Sequence, residues 1–189
     1  MTTRKTIRTL LLTSIFLIST PWLSPTSYAD VITFMHSGSS ASGSLDGTPF
    51  ANADFIITAF GDTDNLTSSL PTQLVILHDS ASIEIVGVGI FDIVSSTRTY
   101  YIDDRDIAGL AKPPVNGGNL FESSSAPALY GWDMLTSIGP IHVQHSLLGW
   151  SFIEVITSGG RLEFNDATVE GTSQATVVVP EPIFADGFE

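Results

Sequence analysis

Four histidines and twenty acids are the side chains of this 189-residue chain that could bind a metal, move a proton or orient a ligand. The chain has no cysteine, which removes thiol chemistry, thiolate metal sites and disulfides together. His142 and His145 stand three apart in a segment patterned as a strand, so they point to opposite faces and cannot easily share a metal. His36 and His78 stand alone near strand ends, whereas zinc needs three or four convergent ligands. Asp62, Asp64 and Asn65 follow Gly61 and place oxygens at alternate positions, as calcium takes them. The distal Glu of a full calcium loop is missing, and the same residues make an ordinary turn in which Asp and Asn bond their own backbone. Asp103-Asp104-Arg105-Asp106 is a second acidic group, read as a solvated loop.

Glycoside hydrolysis needs two carboxylates across a sugar, but twenty acids nominate no particular pair. The chain contains no Gly-x-Ser-x-Gly elbow, phosphate loop or His-Glu-x-x-His. Trp132, Trp150, Tyr100, Tyr101 and Tyr130 could form a sugar-stacking platform, although aromatics in a β domain of this size more often pack the core. No residue is therefore assigned a catalytic, cofactor-binding or metal-binding role.

The elements that would position these residues read as strands. Ser82-Ile83-Glu84-Ile85 alternates, and Phe91-Asp92-Ile93 resumes the same parity beyond Val86-Gly87-Val88-Gly89-Ile90. Period-two alternation gives a strand with one buried face, and the two glycines suggest a bulge within it. Further strands are expected at 31–36, 54–60, 73–78, 97–102, 128–135, 141–148, 150–156, 161–164 and 175–179. Clusters of Gly, Ser, Asn and Asp, such as Ser37–Ser44, separate them. Residues 111–127, rich in Pro, Gly and Ser, read as a long surface loop. Many short strands without a long amphipathic helix predict a single antiparallel β-sandwich or jelly-roll-like domain over residues 30–179.

The first 29 residues have a different character. Arg4, Lys5 and Arg8 precede the apolar run Leu10–Ile18, and Ser27-Tyr28-Ala29 supplies a small-x-Ala site. These are the parts of a secretory signal peptide. The run falls well short of the about 20 residues that span a bilayer, so cleavage without later membrane insertion is expected. All twenty acids lie beyond position 29, and losing three cations moves the net charge from −13 to −16. Such a surface repels nucleic acid, whose phosphates require Lys or Arg.

Two stretches carry a family resemblance. One is Ala41-Ser42-Gly43-Ser44-Leu45-Asp46-Gly47-Thr48-Pro49-Phe50, continuing through Ala53-Asp54-Phe55-Ile56-Ile57-Thr58-Ala59 to Asp62-Thr63-Asp64-Asn65. The other is Leu135–Pro140 followed by Thr157–Phe164 and Ala167-Thr168-Val169. Together they resemble secreted bacterial proteins of the PEP-CTERM-associated type. That resemblance implies an exported β-sandwich with no activity to carry over. Val179-Pro180-Glu181-Pro182 is similar to the sorting motif, but Ile183–Glu189 replaces the expected sorting helix. Residues 180–189, broken by two prolines, read as an appendage dispensable for folding.

The expected function is that of an exported, non-enzymatic structural or interaction module, acting in the envelope or outside the cell on surface or matrix components. The alternatives are a carbohydrate-binding module using surface aromatics, with or without calcium, and a carboxylate hydrolase. N-terminal sequencing of the exported protein is expected to begin at Asp30; Met1 retained in a membrane fraction would refute the leader.

Overall fold

The computed structural model describes residues 30–113 and 118–178; the leader 1–29 and the tail 180–189 lie outside the described residues. The described chain is all-β. Its twelve strands are β1 (Val31–Leu45), β2 (Thr48–Asp62), β3 (Thr67–Leu70), β4 (Gln73–Ile85), β5 (Gly89–Asp92), β6 (Arg98–Ile102), β7 (Ile107–Ala111), β8 (Asn119–Ser123), β9 (Ile138–Ser146), β10 (Val155–Thr157), β11 (Gly160–Phe164) and β12 (Thr168–Val178). Eight of them close into an antiparallel barrel in the order β1-β12-β9-β8-β7-β6-β4-β2, with β2 returning to β1. The other four are outer strands: β3 and β5 pair with β4, β11 with β1, and β10 with β11.

Closure depends on the length of β1. Its Val31–Gly38 half pairs with β12, its Gly43–Leu45 end pairs with β11, and β2 runs along its other edge. A bulge lies between Gly38 and Ala41, where Ser40 has φ 56°. The Ser37–Ser44 cluster, expected to separate strands, is therefore strand. Alternation explains it: Ile32, Phe34, His36 and Gly38 turn inward, while Thr33, Met35 and Ser37 turn outward. Gly38 is needed inside because a Cβ there would lie 2.4 Å from the Phe55 ring.

Other boundaries differ for local reasons. The segment expected as one bulged strand, 82–94, is a hairpin: β4 ends at Ile85, and β5 begins at Gly89 after a turn in which Gly87 has φ 81°. The expected loop 111–127 contains β8, whose Leu120 and Phe121 are wholly buried. The expected strand 128–135 is absent. Pro127–Leu129 forms one 3-10 turn, and Leu129, Trp132 and Met134 are buried in the core without joining the sheet.

The interior is filled by Ile32, Phe34, Phe55, Ile57, Ile83, Ile85, Phe121, Trp150, Leu162 and Phe164, all at most 1% exposed. Phe55 meets Phe121 and Phe164 at ring separations of 5.9 and 4.7 Å, so opposite walls touch directly.

The parity of Ser82–Ile93 yields a test. Ile83, Ile85 and Ile93 are buried, and Glu84 between the first two is exposed. Ile85→Asp places a carboxylate in the apolar interior and removes packing, and is expected to cost about 3–5 kcal/mol in urea unfolding. Glu84→Gln is expected to cost no more than about 0.5 kcal/mol. The reverse ranking would invert the register.

Candidate functional site

Barrel closure changes the meaning of the histidines. His142 and His145 do face opposite ways: the first is exposed, the second wholly buried. His36, expected to stand alone near a strand end, sits within β1 and is 2% exposed. Ser173 of β12 lies between it and His145. Its Oγ is 3.0 Å from His36 Nδ1 and 2.9 Å from His145 Nε2. One hydroxyl can donate to one ring nitrogen while accepting from the other, so the two imidazoles take opposite proton roles at these atoms. Phe121 packs between them, stacked on His145 at 4.1 Å and tilted against His36 at 5.3 Å. His78 completes the group from β4. Its Nδ1 and Nε2 lie 2.9 Å from the hydroxyls of Thr97 and Thr99, and its ring packs on Phe34.

A serine between imidazoles is a grouping that nucleophilic catalysis could use. Here no substrate can reach it. Ser173 is 5% exposed, and the adjoining cavity, lined by His36, Thr99, Trp132 and Ser173, holds about 10 Å³. That is room for one water at most. The sequence offered no sign of Ser173, because only the pairing of β12 with both β1 and β9 brings it between two histidines.

The remaining nominated groups separate. Asp62 Oδ1 accepts from the Asp64 amide at 2.7 Å and caps the 3-10 turn Thr63–Asn65, which is the ordinary-turn reading of that loop. Asp103 accepts from Tyr101 Oη at 3.0 Å in the β6–β7 turn. Among the described residues, no three His, Asp or Glu side chains are placed to hold a metal. Of the five aromatics, Trp132, Trp150, Tyr100 and Tyr101 are buried, and Tyr130 is 81% exposed. They make no common platform.

An open concavity lies outside the barrel. It is an open groove of about 480 Å³ beside the β1 bulge, lined among others by Ser37, Ser39, Asp54, His142, Glu170 and Thr172. Strand register builds it: His142 pairs with Thr172, Thr172 with Ser37, and Ser37 with Ile56, giving one outward row across four strands. Ser37 Oγ and Thr172 Oγ1 bond each other at 2.7 Å, Ser39 Oγ donates to the Glu170 carbonyl, and Asp54 accepts from the Ser40 amide. Both carboxylates are exposed. The groove thus offers hydroxyls, one imidazole and two solvated carboxylates, without a Lys, an Arg or an exposed aromatic ring among its lining residues. None of these groups was singled out as a set by the sequence except His142, because the row exists only once the register is known.

The chain matches no protein-family model, no curated protein and no solved structure.

The buried imidazoles generate a pH test. Desolvation lowers His36 and His78 from 6.5 to about 3 and His145 to about 4, with His145 and His78 adding repulsion at His36. The unfolded chain therefore binds protons between pH 6.5 and about 4 that the barrel refuses, so stability falls as pH falls through that window. For His36 the loss between pH 7.5 and 5 is about 2 kcal/mol. Urea midpoints are expected to drop accordingly, and His78→Gln should flatten the drop. A profile flat from pH 7.5 to 4.5 would refute the buried neutral cluster.

Proposed function

We propose that this protein is an exported, non-enzymatic interaction module that meets a cationic partner segment on its outer wall, at the groove between Asp54 and Glu170. The observation that carries the reading is the contrast between a filled, apolar interior and a polar outer groove. A barrel that carries a small ligand keeps space inside, and this one has none to offer. A barrel that spans a membrane turns its apolar residues outward. Here the outward positions of β1, β2, β9 and β12 include Thr33, Ser37, Asp54, Thr58, His142, Gln144, Glu170 and Thr172.

The partner's charge follows from the lining. An anionic ligand would meet two carboxylates and no Lys or Arg, and a sugar would find no exposed ring to stack on. A lysine or arginine side chain would find carboxylates on two walls and hydroxyls on the floor between them. Hydrolysis is the weaker reading: a general acid is held protonated by burial, and both carboxylates are solvated.

The finer fold reading is a barrel flattened like a sandwich, supported by direct contact of Phe55 on β2 with Phe121 on β8. Export through the general secretory route, and kinship with the secreted proteins that the sequence resembles, are parts of the same proposal.

The test uses labelled secreted protein and three soluble probes: hexalysine, hexaglutamate and maltohexaose. Hexalysine is expected to shift the amide signals of Ser37, Ser39, Glu170 and Thr172, with binding weakened by salt. Asp54→Asn with Glu170→Gln should lower its affinity about threefold to tenfold, as for solvated ion pairs. Binding of hexaglutamate or maltohexaose at the groove in place of hexalysine would overturn the reading.

A further inference from the structure

The ladder between β8 and β9 is the shortest in the ring. β8 has five residues, Asn119–Ser123, set between Gly118 and the Ser124-Ser125 pair, which leaves room for brief pairing. Elsewhere the ring is long-paired. β1 is in register with β2 from Val31 to Leu45 and with β12 from Val31 to Gly38, and β12 is in register with β9 from Thr168 to Ala175. β8 and β9 register at two positions, Glu122 with Ser146 and Ser123 with His145. The Ser124 amide then donates to the Gln144 carbonyl at 2.8 Å. Cross-strand pairs are what hold a sheet together, so the ring parts at least cost where they are fewest.

A titratable side chain lines the inside of that seam. His145 turns inward, is 0% exposed and stacks on the Phe121 ring of β8 at 4.1 Å. From β12, Ser173 Oγ lies 2.9 Å from its Nε2, and beyond that hydroxyl lies His36 of β1. The carboxylates of the adjoining strands are turned elsewhere: Glu122 accepts from Tyr100 and Asn119, and Glu170 lines the outer groove. His142, on the same strand as His145, is exposed on the opposite face. The titratable group that His145 faces is thus another imidazole and not an anion.

We propose that this seam is an acid-opened gate in the barrel wall: protonation of His145 parts β8 from β9 at their Ser123 end while β1, β2, β4 and β12 stay paired. In the closed wall, burial lowers His145 to about 4. In the parted wall water reaches the ring, which regains the ordinary imidazole value of about 6.5. The parted state therefore binds the proton more tightly, and falling pH favours it between those two values. From pH 7.5 to 5 the parted fraction rises about 25-fold for this one ring. The side-chain ties fix the direction of movement. Ser123 Oγ accepts from the Ala108 amide at 3.0 Å, which keeps that end of β8 with β7. At the other end Gly149 lies against the Asn119 carbonyl, where a Cβ would sit 1.7 Å away, and this contact is the fulcrum. The gate differs from the loss of stability of the whole barrel in needing one histidine and leaving the long ladders closed.

The test is amide hydrogen exchange of the secreted protein, followed residue by residue by NMR at pH 7.5 and 5, with each rate divided by the intrinsic rate at that pH. The Ser124 amide is expected to be less protected than the amides of the Val31–Gly38 ladder at both pH values, and to lose at least about 25-fold of its protection on acidification. Glu122→Cys with Ser146→Cys, oxidised to a disulfide across the seam in a chain that has no other cysteine, is expected to raise the protection of Ser124 at pH 5 at least about tenfold. Protection of Ser124 that does not change with pH would overturn the gate. So would protection equal to that of β1 at both pH values, which means that the barrel opens as one unit, or a disulfide that leaves exchange at Ser124 unchanged.

Discussion

The structure depends on β1 being paired along both of its edges. A twisted antiparallel sheet leaves two edge strands whose backbone groups must be covered or paired. Here the first strand receives β2 on one side and β12, then β11, on the other, so the chain's opening element also closes the sheet. The requirement is steric as well as hydrogen-bonded. β1 and β12 can lie close beside Phe55 only because Gly38 and Gly171 face each other without side chains. A Cβ on Gly171 would sit 1.8 Å from the Ser37 carbonyl, and one on Gly38 would strike the Phe55 ring. Serine and glycine at these places are conditions of closure.

Closure then settles where polarity can go. No acidic residue among the described residues is buried, whereas His36 and His145 are. The distinction is physical: a neutral imidazole with one bonded nitrogen enters an apolar interior at modest cost, while a carboxylate enters only with a full set of partners. Ser173 makes the arrangement possible by serving both rings with one oxygen. Chemistry that depends on an approaching substrate is thereby moved to the outside, where the bulge of β1 dents the wall between Asp54 and Glu170.

The all-β character was legible because alternation is a local signal: Ser82–Ile85 names its buried residues, Ile83 and Ile85, correctly. Boundaries failed where local chemistry and long-range pairing disagree. Ser37–Ser44 has the composition of a loop, yet pairing with β2 and β12 holds it as strand. Leu129, Trp132 and Met134 lie in a segment with the composition of a strand, yet they join the core from outside the sheet. The histidine cluster was illegible in principle. Its members lie on β1, β4 and β9, and no spacing in the chain encodes that β12 will lie between the first and the last.

The same reasoning separates the two faces of β6. Its inward residues, Thr99 and Tyr101, are core. Its outward residues, Arg98 and Tyr100, are buried as deeply. A strand that is apolar on both faces is the pattern of a strand covered on both sides. Arg98-Thr99-Tyr100-Tyr101-Ile102 carries one cation and four residues able to pack, with no acid. The strand therefore suits a covered position better than a wet wall.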